Sequence, residues 1–251
     1  MTNDIQKQSD QFHRLELIVG SRGLHALNCA KIIIFGIGGV GSWAAEALVR
    51  SGICHITIVD SDTICITNIN RQIQATHHSI GQSKVEVLKN RLLDINPRSS
   101  ITTCEVHYNH KSAALFNLSD YDYVIDAIDT LNSKIELISN AVKSDAKLFS
   151  SLGAARRLDP TRIRVDDIWQ TRGCRLGHFV RKRLRKRGIR NHFKCVYSDE
   201  LMPIPSEFLS EVNPDIPNGS AAHVTGCFGF HLCSLVIQDI MKPLKEVRPL
   251  S

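Results

Sequence analysis

The sequence predicts an α/β protein: a Rossmann-like, doubly wound and mostly parallel sheet with a smaller C-terminal α+β extension. Short β-branched runs alternate with helical segments through the first part of the chain, as in parallel sheets. A glycine-rich turn joins the first run to a helix. After Gly153 the alternation stops. We therefore expect a core at residues 1–154 and an extension at residues 155–251 that packs on this core.

The predicted elements follow the apolar periodicity of the sequence. The strands of the core are Lys31–Phe35, His55–Asp60, Ile101–Val106, Tyr123–Ala127 and Lys147–Ser151. Helices lie between them near Val40–Ser51, Gln82–Asn96 and Asn132–Ser144. The extension is expected to contain a strand pair from Leu158 to Ile168, a basic helix, a strand near Lys194–Tyr197, a loop with Pro203, Pro205, Pro214 and Pro217, and a final helix capped by Ser220.

Composition excludes disordered, fibrous and disulfide-rich classes. The 251 residues are 43% hydrophobic and 22% charged, as in globular domains. None of the eight cysteines are spaced C-x-x-C and the chain opens without an apolar segment, so we expect reduced thiols in the cytoplasm and no cysteine-based zinc site. The uncharged stretch from Ala221 to Gln238 is near the lower length of a membrane span, but its polar residues favour a buried core helix over peripheral membrane contact.

One segment carries the whole basic excess of the chain. Nine bases and no acid lie between Arg172 and Arg190, and without them 22 bases would face 25 acids. The apolar residues of this segment fall at i, i+3, i+4 and i+8, which predicts an amphipathic helix with Leu176, Phe179, Val180 and Leu184 on its inner face. A polyanion such as nucleic acid would relieve the repulsion among the outward bases, whereas a solvated surface helix and an anionic membrane surface are the alternatives. The candidate contacts are Arg181, Lys182, Arg183, Arg185, Lys186 and Arg187.

The glycine-rich turn has the context of a nucleotide site. The first strand runs into Gly-Ile-Gly-Gly-Val-Gly, whose glycines are Gly36, Gly38, Gly39 and Gly41. Glycines let backbone N–H groups at a helix start approach phosphates. Asp60, at the end of the next strand, is placed to accept hydrogen bonds from a ribose. The motif alone fits ATP or a dinucleotide, so NAD-dependent oxidoreduction is the alternative.

Polar residues after Asp60 favour a nucleoside triphosphate. They are Asp62, Asn68, Arg71 and Lys84. A dehydrogenase has no evident use for the two cations beyond a pyrophosphate that the glycines already hold. Asp126 and Asp129 follow at the end of a predicted strand, where α/β sheets bind ligands, and a carboxylate there can hold Mg²⁺. Each residue also has a structural interpretation. The alternatives are turn formation by Asp62 or Asn68, a solvated helix position for Lys84, and a helix cap at Asp126.

In combination, the motifs from Phe12 to Asn140 resemble the ubiquitin-activating-enzyme-like adenylyltransferases, which include those of thiamine and molybdopterin biosynthesis. Within that superfamily, the second half is similar to the tRNA threonylcarbamoyladenosine dehydratases. The similar stretches are Gly38–Trp43, Gly153-Ala154 leading to Leu158–Thr161, the basic segment, Cys195–Glu200 and Gly219–Gly229. The resemblance implies an ATP-dependent reaction in which the threonyl carboxylate of a modified adenosine beside the anticodon is adenylated and then closes into a ring.

The resemblance also implies roles for individual residues. Those matched to the ATP site are Gly38 to Gly41, Asp60 for the ribose, Asn68, Arg71 and Lys84 for the triphosphate, and Asp129 for Mg²⁺. Arg14 matches an arginine that reaches the phosphates of the neighbouring subunit, which implies a homodimer. The anticodon arm of tRNA is the implied macromolecular partner, and a sulfur-relay or carrier protein is left open as another.

The chain departs from the superfamily pattern in two places. The paired zinc cysteines are absent, which fits the dehydratase branch. The stretch Ser151–Ala155 is less glycine-rich than expected there. Cys195 is a catalytic candidate because it lies in a matching stretch, and Lys194 beside it would lower the pKa of its thiol. A small buried residue on a strand is the alternative.

Two other functions remain open at this point. An enzyme that activates a ubiquitin-like or sulfur-carrier protein needs a hydrophobic groove for an extended tail, and leaves the basic helix unexplained. A non-catalytic nucleotide-binding or NAD-binding module leaves Arg71, Lys84 and Asp129 without a use.

Overall fold

The computed structural model describes residues 10–200 and 219–245, and the proline-rich loop lies outside them. The helices are α1 (His13–Cys29), α2 (Gly41–Arg50), α3 (Lys84–Ile95), α4 (Leu131–Ala141), α5 (Arg175–Lys186) and α6 (Ala222–Lys245). The strands are β1 (Lys31–Phe35), β2 (His55–Val59), β3 (Ser100–Cys104), β4 (Tyr123–Asp126), β5 (Lys147–Ser151), β6 (Ile163–Asp167) and β7 (Lys194–Ser198). Helix α1 is kinked at Gly20, whose φ of 72° is not helical.

The strands of the described residues form one sheet in the order β3-β2-β1-β4-β5-β7-β6. Neighbouring strands are parallel, except for the antiparallel pair of β6 and β7. The chain order reverses between β1 and β4, as in doubly wound sheets. The predicted fold class is confirmed. Because β7 pairs in parallel with β5, the sheet continues without a break beyond residue 154.

Strand residues alternate between two apolar layers because successive side chains of a strand point to opposite faces. In β1, Ile32 and Ile34 lie in the layer formed with α1, α2, α3 and α6. Ile33 and Phe35 lie in the layer formed with α4 and α5. All four are fully buried. The sheet is therefore covered on both faces, and its functional groups gather at the ends of the strands.

A turn replaces the first strand of the pair predicted between Leu158 and Ile168, and β6 is the second. The backbone N–H groups of Leu158 and Asp159 each donate to the buried carboxylate of Glu200 at 3.0 Å, so they need no partner strand. Pro160 has no N–H to donate and begins a short 3-10 turn. The prediction of a strand pair is therefore wrong.

Helix α6 approaches α2 so closely that glycine is required at the contact. A Cβ atom on Gly229 would lie 2.8 Å from the carbonyl oxygen of Val40 and from the amide nitrogen of Ala44. The inner face of α6 is fully buried and consists of Val224, Phe228, Leu232 and Val236. By length and composition alone α6 could cross a membrane. Its burial against α2 confirms the predicted core helix.

Candidate functional site

The glycine-rich turn leaves the N-terminus of α2 open toward a cleft. Gly36 has a φ of 88°, and a Cβ there would lie 2.7 Å from the carbonyl oxygen of Ala127. Gly41 packs against the carbonyl of Gly36 with no room for a side chain. Helix α2 has no side-chain cap and no acid in its first turn. Its first N–H groups are therefore oriented to bind an anion.

The structure brings most of the predicted nucleotide residues together around one cleft of about 300 Å³. Those that line it are Gly36, Gly38, Gly39, Asp60, Asp62, Asn68, Arg71, Lys84 and Asp129. Gly41 lies behind the turn, and neither Arg14 nor Cys195 is part of the lining. The cleft is also lined by residues that sequence reasoning missed, namely Gln72, Val106, His107, Tyr108, Ile128 and Ser133.

Asp60 links the end of β2 to the glycine-rich turn. One carboxylate oxygen accepts a hydrogen bond from the amide of Ile37 at 2.6 Å, and the other accepts one from the amide of Asp62 at 2.9 Å. A carboxylate offers about four acceptor positions, so two remain for other donors. This arrangement can hold the hydroxyl groups of a ribose beside the phosphates.

Two cations, Lys84 and Arg71, line the cleft. Lys84 is buried, and its Nζ donates to the exposed carboxylate of Asp62 at 2.7 Å. Arg71 donates through Nη1 to the carbonyl oxygen of Thr67 at 2.7 Å. Asn68, three residues before Arg71, is buried, and its Oδ1 accepts from the amide of Cys65 at 3.1 Å. Both cations therefore have hydrogen-bond partners within the protein at the cleft.

A buried ion pair lies beneath the cleft and was not expected. Lys134 and Asp126 are both fully buried and 2.6 Å apart. Asp126 also accepts from the hydroxyl of Ser150 at 2.6 Å and from the amide of Ile128 at 3.1 Å. The carboxylate does not cap α4, which begins without a side-chain cap after Thr130, so the cap interpretation is wrong. The pair instead anchors the loop that presents Asp129, which is exposed at the cleft.

A lysine on the first turns of α4 and an aspartate at the end of β4 could have been paired from the predicted topology. The apolar periodicity hid this signal because it scores Lys134 as a solvent-facing residue.

Within the described residues no group of three or more His, Cys, Asp or Glu side chains could hold a metal ion.

Cys195 does not have the environment expected of a reactive thiol. It is fully buried, and burial raises the pKa of its thiol well above the usual value. Lys194, the first residue of β7, is exposed and points to the opposite face of the sheet from Cys195, so it does not lower this pKa. The prediction of a lowered pKa is therefore wrong, and the interpretation as a small buried strand residue is confirmed.

Arg14 lies on the exposed side of α1, away from the cleft lining. Leu17 and Ile18, one turn later, are 74% and 83% exposed.

The basic helix α5 begins at the same edge of the sheet as the cleft. Gly153 follows the carboxyl end of β5, and a Cβ there would lie 3.6 Å from Leu176 in the first turn of α5. Gly177, Val180 and Leu184 form its buried face. The sequence places Phe179 on that face too, but its side chain is 38% exposed, so this part of the prediction is wrong.

Three of the six candidate bases on or next to α5 have partners within the protein. Arg187 donates to Glu136 at 2.9 Å, Arg181 donates to the hydroxyl of Thr171, and Arg185 lies over the ring of Trp169 at 5.2 Å. Lys182, Arg183 and Lys186 have no side-chain partner among the described residues. These three are therefore the bases most available for a polyanion.

Comparisons with known proteins agree with this geometry. The model of the ThiF family matches residues 9–242. A tRNA threonylcarbamoyladenosine dehydratase of Bacillus subtilis (strain 168) is 38% identical over 95% of this chain and 97% of that protein. The Escherichia coli tRNA N6-threonylcarbamoyladenosine dehydratase in complex with ATP has a TM-score of 0.86 and 34% identity, over 95% of this chain and 96% of that one. The chain therefore belongs to the ThiF family and, within it, to the tRNA threonylcarbamoyladenosine dehydratases.

Proposed function

We propose that this protein uses ATP to dehydrate threonylcarbamoyladenosine in tRNA to its cyclic form. The observation that carries the proposal is the shared edge of the sheet. The phosphate cleft opens there, and the basic helix α5 begins there beside the end of β5. A nucleotide and a larger polyanion would thus meet at one place.

ATP would occupy the cleft with its phosphates at the start of α2. The amides of the glycine-rich turn would face the phosphates, and Asp60 would accept from the ribose. Lys84 and Arg71 would both neutralise charge on the triphosphate, since both line the cleft. A phosphate oxygen would compete with Asp62 for the Lys84 ammonium, 2.7 Å from that carboxylate.

The reaction proceeds by carboxylate activation. An oxygen of the threonyl carboxylate attacks the α-phosphorus of ATP and pyrophosphate leaves. The ureido group of the same substituent then attacks the acyl carbon, loses a proton, and displaces AMP, which carries one carboxylate oxygen away. The second step is intramolecular, so its effective molarity is high and no nucleophile of the protein is required. The burial of Cys195 is compatible with this route.

Asp129 would hold Mg²⁺. Mg²⁺ is commonly bound through one or two carboxylates together with substrate phosphates, so one exposed carboxylate at the cleft suffices. When bound, the ion would neutralise negative charge on the phosphates. The anchored loop from Asp126 to Asp129 keeps this carboxylate in place.

A homodimer and a role of Arg14 across its interface belong to the same proposal. Arg14 lies outside the cleft lining of its own subunit, so it would act on the phosphates of the neighbouring one. The adjacent pair of exposed aliphatic side chains, Leu17 and Ile18, supports a protein contact on this side of α1. Because the substrate is tRNA, the site of action would be the cytoplasm.

The test is incubation with Mg-ATP and tRNA carrying threonylcarbamoyladenosine, followed by digestion and mass spectrometry of the nucleosides. We expect loss of one water from this nucleoside together with AMP formation. Lys84→Ala and Asp129→Ala should each slow the reaction by about 100-fold because they remove charge stabilisation at the reacting phosphate. Lys89→Ala, on the same helix as Lys84 but outside the cleft lining, is the matched control and should retain full activity.

AMP formation without any change of the nucleoside would contradict the proposal. It would redirect the assignment to activation of a carrier-protein tail.

A further inference from the structure

Phe179 stands apart from the packing of the protein. Its ring is 38% exposed, and it belongs to neither of the two apolar layers. By contrast, Leu176 and Val180 on the same helix both contact the layer beneath α5. Burial against the sheet therefore does not account for the aromatic residue at this position.

The Phe179 ring lies next to one cation and one imidazole. Arg175 places its guanidinium carbon 5.8 Å from the centroid of the Phe179 ring, and His178 meets the ring edge-on with centroids 5.6 Å apart. Arg175, Phe179, Lys182, Arg183 and Lys186 occupy positions i, i+4, i+7, i+8 and i+11 of α5, so they share one helix face, here called the outer stripe. This stripe is opposite the buried Gly177, Val180 and Leu184.

The outer stripe combines two features that single-stranded RNA recognition requires. Lys182, Arg183 and Lys186 are cations without a side-chain partner among the described residues, which suits phosphates. An exposed aromatic ring between cations suits the π-face of an unpaired base. A fully paired stem offers the phosphates but no free base face. The chemistry thus matches a loop better than a duplex.

We propose that Phe179 stacks on an unpaired nucleobase of the anticodon loop while the outer stripe holds the adjoining phosphates. This inference rests on the proposed function and specifies how its RNA substrate is held. Helix α5 starts at the same edge of the sheet as the cleft and rises about 17 Å from Arg175 to Lys186. A loop base on Phe179 would therefore lie nearer the cleft than phosphates bound at the far end of the stripe.

The test measures binding of the full-length protein to a labelled anticodon arm carrying threonylcarbamoyladenosine, over a series of salt concentrations. Phe179→Ala should raise Kd about tenfold and leave the slope of log Kd against log salt unchanged, since stacking releases no counterions. Phe179→Trp should retain the affinity, and RNA should quench its added fluorescence. Neither variant should weaken binding to a duplex RNA of the same length.

Two control variants make the result interpretable. Lys182→Ala should weaken binding to both RNAs and reduce the magnitude of the salt slope by about one. Phe230→Ala removes another exposed phenylalanine, 50% exposed on α6, and should change nothing. Circular dichroism would verify that each variant is folded.

An unchanged Kd for Phe179→Ala, with normal binding by the unsubstituted protein, would overturn the stack and leave the proposed function standing. Equal weakening on arm and duplex would also overturn it. If Phe179→Ala lost binding to phosphatidylserine vesicles without losing affinity for RNA, the ring would be assigned to a membrane surface instead. Failure of the unsubstituted protein to bind the arm would overturn the proposed function and the stack together.

Discussion

The buried pair of Lys134 and Asp126 gives a quantitative prediction. Lys134→Met removes the ammonium that donates to Asp126 at 2.6 Å and to the carbonyl oxygen of Ser151 at 2.8 Å. The carboxylate remains, fully buried, with only its neutral donors. Removing one partner of a buried ion pair costs about 3–5 kcal/mol, so the free energy of unfolding should fall by that amount.

The assay is urea unfolding at pH 7, with a double-mutant cycle to isolate the pair. Asp126→Asn alone should also destabilise the protein, because it leaves a buried ammonium without its counter-charge. The double variant should lose less than half of the summed single-variant losses in the free energy of unfolding, since an amide beside a thioether carries no buried charge. A loss below about 1 kcal/mol for Lys134→Met, or a strictly additive double variant, would refute the assignment of a coupled buried pair.

Three further predictions concern other elements. Burial raises the pKa of Glu46, but hydrogen bonds from Arg91 and Arg50 lower it more, so the net pKa is lowered. Its stabilising effect is present above the unfolded-state pKa and is lost as the pH falls through the folded pKa. Glu46→Gln should therefore cost about 2 kcal/mol at pH 7 in urea unfolding. This difference from the unsubstituted protein should disappear as the pH falls through the lowered folded-state pKa. Gly229→Ala should overpack the contact between α6 and α2 at a cost of about 1–3 kcal/mol, which should lower the thermal midpoint by several degrees. An unchanged midpoint would show that the helices can separate freely. A mixed dimer of Arg14→Ala and Lys84→Ala subunits should regain activity at one site if Arg14 acts across the interface, whereas no recovery would place its action within one subunit.

Local signals predicted the fold class and most of the cleft. The glycine-rich turn between β1 and α2 identifies the phosphate end, and Asp60 and Asp129 follow strands whose carboxyl ends meet at one edge. Parallel topology alone brings these residues together, so no knowledge of side-chain packing was needed.

The errors share a physical cause, which is that they depend on contacts between distant parts of the chain. The strand expected at Leu158 is replaced because Glu200, far along the chain, supplies the acceptors. Phe179 was misplaced because the helical period does not reveal how far a side chain at the border of a face is covered. The pKa of Cys195 was predicted in the wrong direction because a neighbouring charge in the sequence does not reveal burial. Each outcome is set by tertiary contacts that a local pattern does not contain.

Isotope transfer tests carboxylate adenylation most directly. The substrate would be tRNA whose threonylcarbamoyladenosine carries ¹⁸O in the carboxylate, incubated with this protein and Mg-ATP. Adenylation predicts AMP and pyrophosphate, with one ¹⁸O found in the phosphate of AMP for each nucleoside that loses water. Formation of ADP with ¹⁸O in inorganic phosphate, or of AMP without the label, would contradict the account.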